Sequence, residues 1–193
     1  MGCKLAFWMF PSLLARDIET NPTTNRGIPM KHDLRIITIG VFGFDEESFF
    51  GALTGAGVDT FCDIRRRRGL RGSKYAFANS IRLQSRLSEL GIRYLHLKDL
   101  APPQEVRDVQ KRDDSLQGIA KRNRDVLGSG FISAYENACL QDFTASCFLN
   151  AVGPEARAVA LFCVEREPRA CHRSIVADRL KGELDVPVDD LMP

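Results

Sequence analysis

The chain has 193 residues, 44% of them hydrophobic and 27% charged, which fits one globular domain with its own core and excludes a disordered chain. A formal net charge of +2 excludes selection of a partner by the whole-protein field, so the distribution of charge carries the information. Six cysteines (3, 62, 139, 147, 163 and 171) sit in a chain too large to need disulfide staples. Cys62, Cys147 and Cys163 fall in apolar contexts where a free thiol acts as a small hydrophobe, so reduced cysteines and a cytoplasmic location are expected.

At the N-terminus, Lys4 precedes an apolar run over 5–15 that Pro11 interrupts. It is too short to cross a bilayer. It has the length of a signal-peptide core, but Arg16, Asp17 and Glu19 follow where small residues would mark a cleavage site. Residues 1–33 are read as a peripheral extension, with Met30 a natural start just ahead of the first strand, and no membrane contact is expected.

Residues 34–193 read as a single α/β domain. The β-branched run 34–40 predicts a first strand closed by Gly40. Asp45, Glu46 and Glu47 open a helix whose inner face is Phe49, Phe50 and Leu53, ended by Gly55 and Gly57. A second strand follows over 58–64, making a βαβ unit of about 30 residues, the size expected of a parallel pair with a right-handed crossover. Asn79 or Ser80 caps a helix to Leu90 with Ile81, Leu83, Leu87 and Leu90 inward, and 92–97 alternates as a third strand. Pro102 and Pro103 break the chain, and 104–130 is polar, helical in parts, exposed and without evident chemistry. The span 131–140 is an amphipathic helix, 159–164 a fourth strand, 174–180 a further helix and 184–188 a short last strand. Strands alternating with helices predict a three-layer α/β sandwich on a mostly parallel central sheet. Ligands of such sheets sit outside the carboxyl ends of the strands.

Three stretches carry a resemblance. They are Thr38-Ile39-Gly40, Asp63-Ile64-Arg65, and Cys163-Val164-Glu165 followed by Cys171-His172-Arg173 and Ile175, Ala177 and Asp178, with Gly91-Ile92-Arg93-Tyr94 in addition. Over roughly residues 34–180 the chain resembles the family catalogued as domain of unknown function 488, which implies an α/β fold and no settled reaction. It departs from the family pattern where Val41-Phe42 replace a His-Ser, where an arginine-rich loop replaces Pro and Ser, and where a Gly-Gly pair is missing.

Candidate chemistry gathers at the strand ends. Asp63 and Glu165 end the second and fourth strands and could serve as general acid and base, or pair with Arg65 and Arg173 to hold loops. Cys171 heads a helix, where a thiol's pKa falls, with His172 and Arg173 beside it. Arg173 and the helix amides suit an anion. Thr38 and Gly40 join them as ligand-binding candidates at the end of the first strand. Arg65, Arg66, Arg67, Arg68, Arg71 and Lys74 place six positive charges within ten residues, followed by Tyr75 and Phe77, so phosphates and stacked bases are the expected partners. The spacing Cys163 to Arg169 imitates a phosphate-binding loop, but Glu165, Glu167 and Pro168 inside it oppose an anion. Cys62, Cys163, Cys171 and His172 are ligand types for zinc, yet their spacing matches no zinc knuckle, so no metal and no cofactor is expected. The leading expectation is a protein that binds or processes a nucleotide or nucleic acid at the strand ends. The alternatives are a thiol-dependent sulfurtransferase or redox enzyme using Cys171, and a non-catalytic module for a phosphorylated ligand.

Overall fold

The computed structural model describes residues 34–120 and 123–193; the extension expected over 1–33 lies outside the described residues. Five strands, β1 (Arg35–Gly40), β2 (Thr60–Asp63), β3 (Arg93–His96), β4 (Ala158–Cys163) and β5 (Val188–Leu191), form one sheet in the order β3-β2-β4-β1-β5. All four pairings are parallel. The predicted three-layer sandwich is the observed one, its sheet parallel throughout.

The two-residue period of the central strand β4 sets the layers. Ala158, Ala160 and Phe162 join one apolar cluster, while Val159 and Leu161 join the other. The first cluster takes Phe49, Phe50 and Leu53 of α1 (Glu46–Gly55) and Leu83 and Leu87 of α2 (Ser80–Glu89). Asp45 caps α1 by accepting the Ser48 backbone N–H at 2.8 Å, while Ser48 Oγ accepts the Asp45 backbone N–H at 3.1 Å. That reciprocal box makes 45–48 a helix start. Ile81, predicted inward, is exposed.

The opposite face carries α3 (Gln104–Leu116), α4 (Ser129–Tyr135) with a π-helical turn at Glu136–Leu140, α5 (Ala145–Val152) and α6 (His172–Leu184). Phe131, Tyr135, Phe148, Val176, Ala177, Leu180 and Leu184 supply its core. No element was predicted for α5. Helix α6 begins two residues earlier and ends four later than the predicted 174–180, and β5 starts at Val188, where the predicted strand 184–188 ends. Among the described residues, no helix is long and apolar enough to cross a membrane.

The helix after β1 leaves to one face and the helix after β4 to the other. Their strands are neighbours, so a crevice opens between the two departing chains at the carboxyl ends. Gly40 closes β1 at this point. A Cβ there would stand 1.8 Å from the Glu165 carbonyl oxygen, so only glycine lets the loop after β4 pass so near. Gly40→Ala is expected to destabilise the domain by about 3 kcal/mol, the upper end of overpacking costs because the obstacle is backbone. A urea denaturation midpoint unchanged from wild type would contradict this account.

Candidate functional site

The alternation that builds the layers also sorts the reactive side chains. Asp63 follows Phe61 onto the α1–α2 face and is fully buried. Its Oδ1 accepts Arg65 Nε at 2.9 Å and the Arg65 backbone N–H at 3.0 Å; its Oδ2 accepts Arg65 Nη2 at 2.7 Å and the Tyr94 hydroxyl at 2.9 Å. Arg65 also lies over the Phe162 ring, 4.4 Å from its centroid. Asp63 and Arg65 thus form a bidentate buried pair that fixes the end of β2.

Cys163 follows Leu161 onto the other face, where α6 begins. Its sulfur lies 3.6 Å from Glu165 Oε2 and 3.9 Å from His172 Nδ1, and the Cys171 sulfur lies 3.8 Å from the same nitrogen. The three ligand-type atoms of Cys163, Cys171 and His172 all fall within 4.8 Å of one another, and all three residues are buried. The other ring nitrogen, Nε2, donates to the Ile64 carbonyl at 3.2 Å, which leaves Nδ1 directed at the sulfurs. Tyr135 packs against the imidazole, 5.4 Å between centroids.

Burial would raise the Cys171 thiol, but the Cys163 S–H donated to it, the adjacent His172 charge and Arg173 together hold it well below its usual value. Cys163 moves the opposite way because it donates its S–H to Cys171 in a hydrogen bond, which favours the protonated thiol, and because it is buried. Burial alone would lower His172, but the Cys171 thiolate outweighs it and keeps the imidazole protonated above its ordinary range. Cys62, Cys139, Cys163 and Cys171 are free thiols, but Cys147 is disulfide-bonded, which corrects the expectation that it is reduced. Burial pushes Cys62 up to about 12.

Cys163, Glu165, Cys171 and His172 form the floor of a cavity of about 460 Å³, within the range of small-molecule sites. Arg65, Arg66, Arg67, Arg107, Lys111 and Arg124 supply its cations, and Leu70, Pro102, Leu127 and Phe131 part of its apolar wall. Arg107 Nη2 donates to Gln104 Oε1 at 2.6 Å, and Arg124 donates to Asp114 Oδ2 at 2.7 Å and to the Ala170 carbonyl at 3.1 Å. Arg65 Nη1, Arg107 Nε and Arg124 Nε are buried without a hydrogen-bond partner. All three belong to arginines lining this one cavity.

Several expected site residues stand elsewhere. Arg173 is fully buried and donates to Thr38 Oγ1 at 3.0 Å and to the Glu165 and Arg166 carbonyls at 2.6 and 2.8 Å. Thr38, also buried, donates to Asp190 Oδ1 at 2.6 Å. Arg68 donates to the Tyr94 hydroxyl at 3.5 Å, and Tyr75 packs on Phe42 with ring centroids 5.2 Å apart. Arg173 and Thr38, with Gly40, build the framework under the crevice, while Arg68 and Tyr75 are half-buried. Sequence reasoning expects helix in parts of 104–130 but reads the segment as exposed and without chemistry, and so misses that α3 is partly buried and brings Arg107 and Lys111 to the cavity. The signal was present: Val106, Gln110 and Asp114 repeat at four-residue spacing, and all three are buried. Polar residues on the inward stripe of a helix mark a face that meets a polar partner.

The model of the domain of unknown function DUF488 matches residues 45–180. The chain belongs to this family. No curated protein and no solved structure matches the chain. The DUF488 match spans β2, β4 and the start of α6, and so includes every cavity residue named above.

Asp63→Ala would leave the Arg65 guanidinium buried with its main partner removed. The expected loss is about 3–5 kcal/mol of folding stability. Glu165→Gln, whose carboxylate is not part of that buried pair, is expected to cost far less. Equal melting temperatures for the two variants would contradict the assignment of Asp63 to the framework.

Proposed function

We propose that the cavity binds a phosphate-bearing small molecule of nucleotide size, and that the groups acting on it are those of the floor, Cys163, Glu165, Cys171 and His172. The observation that carries this reading is that three arginines lining one cavity, Arg65, Arg107 and Arg124, each keep a buried guanidinium nitrogen without a partner. A buried donor left unsatisfied costs about 1–3 kcal/mol, more when charged. Three around one space are answered together by an anion with several oxygens, and guanidinium groups suit phosphate. The apolar wall of Leu70, Leu127 and Phe131 gives a base or similar ring its contact.

Arg66, Arg67, Arg71 and Lys74 are exposed along the loop after β2, and the first two also line the cavity. That positive surface favours a second reading, in which the phosphate-bearing ligand is the end of a nucleic acid strand. A nucleophilic Cys171, as in a sulfurtransferase or redox enzyme, is the competing use of the floor and is supported by the imidazole beside its sulfur.

Isothermal titration with pyrophosphate, AMP, ADP and ATP tests the first reading. At least one is expected to bind stoichiometrically, with Arg107→Ala weakening it roughly ten- to a hundredfold, as loss of a charged hydrogen bond predicts. No heat with any of the four, at low salt, would overturn it. Fluorescence anisotropy of labelled single-stranded DNA and RNA across a salt series tests the second. If it holds, an Arg66→Ala/Arg67→Ala/Arg71→Ala variant binds more weakly and with a shallower salt slope. Binding of mononucleotides without binding of strands leaves the first reading alone.

A further inference from the structure

We infer that Cys163, Cys171 and His172 form a three-ligand zinc site whose open position faces the anion cavity. The expectation of no metal rested on sequence spacing, and the fold supplies what spacing could not. Cys163 ends β4, Cys171 precedes α6, and the loop between them turns back through a short helical turn at Pro168–Ala170, so residues eight apart meet side by side.

The two sulfur–nitrogen separations are close to those of a metal cage. A tetrahedral zinc with sulfur at ~2.3 Å and nitrogen at ~2.0 Å sets its ligand atoms about 3.5–3.8 Å apart. Here the two sulfur–nitrogen separations are 3.9 and 3.8 Å, and all three atoms lie within 4.8 Å of one another. The histidine is arranged as ligand histidines are, with one nitrogen toward the sulfurs and the other N–H fixed by the Ile64 carbonyl. Two thiolates and an imidazole form a soft donor set that selects zinc over magnesium, calcium or manganese. Three protein ligands leave a fourth position, and Glu165 Oε2 stands 3.6 Å from the Cys163 sulfur on this side of the floor. All three ligands line the cavity, so the fourth position is reached by a ligand held on the arginines. Zinc binding by the three residues goes beyond anion binding and does not depend on it; only the approach of an arginine-held ligand to the fourth position rests on that reading.

The test uses the full chain purified without chelator and, separately, stripped and reloaded with Zn²⁺ or Co²⁺. Plasma mass spectrometry is expected to find about one zinc per chain, and the cobalt form to show thiolate-to-metal charge transfer with the intense visible bands of a tetrahedral site. Cys163→Ser, Cys171→Ser and His172→Ala should each lose stoichiometric binding, while Cys139→Ser keeps it. Should the floor variants fail to fold, wild type decides: Zn²⁺ must slow iodoacetamide alkylation of Cys163 and Cys171, read by peptide mapping, and a chelator must restore it. Sub-stoichiometric zinc after reloading, or alkylation of Cys171 at the same rate with and without Zn²⁺, overturns the site and leaves the thiol as a free nucleophile.

Discussion

The Arg173 guanidinium, wholly enclosed, is the group on which the arrangement of the floor depends. It grips the Glu165 and Arg166 carbonyls with its two terminal nitrogens and reaches Thr38 of β1 with the third. The loop after β4 is thereby tied to the neighbouring strand at the place where Gly40 lets it pass. Thr38 in turn donates to Asp190 in β5, so a charge buried in α6 is connected through one hydroxyl to a carboxylate two strands from β4. A charge taken this far from water is stable only with its hydrogen bonds made. The same bonds hold the backbone between Cys163 and Cys171 in the turn that brings the two sulfurs to one imidazole.

Two buried arginines therefore do different work within a short distance. Arg65 is engaged on one edge by Asp63, and Arg173 by hydroxyl and carbonyl oxygens. Only Arg65 keeps a buried unpartnered nitrogen, and only Arg65 lines the cavity. The contrast lies in what each has left to offer: every guanidinium nitrogen of Arg173 already donates inside the fold. The cationic wall of the cavity comes instead from the end of β2, from α3 and from the segment before α4, three stretches that meet there.

The layers were legible in the sequence because β-branched runs, a capping box and two-residue alternation are local signals. Strand β4 and the Cys163, Glu165, Cys171 and His172 cluster could be read for the same reason, since an apolar strand followed by a short turn and a helix start lies within twenty residues. What could not be read was depth. Thr38, Arg68 and Arg173 have the residue types of a binding site, and their burial or internal partners follow from long-range pairings. The cavity wall from α3 was hidden differently: its charges look like a solvated helix face until the buried pair Gln110 and Asp114 is seen on the stripe shared with Val106.

The electrostatics of the floor bear on how the two halves of the site fit together. A thiolate and imidazolium pair is neutral as a unit and leaves the arginine field unchanged, but Cys163 then keeps its proton and points no charge at the cavity. Two thiolates with a divalent ion and a neutral imidazole would also be neutral in sum, yet Cys163, Cys171 and His172 would then hold a positive centre beside the cavity that can accept a further ligand. An anion held by Arg65, Arg107 and Arg124 would then meet a further positive centre at the floor in place of a protonated thiol. The unpartnered guanidinium nitrogens and the sulfur–imidazole cage thus favour the same occupant, a ligand with negative oxygens and one atom directed down between Cys163 and Cys171.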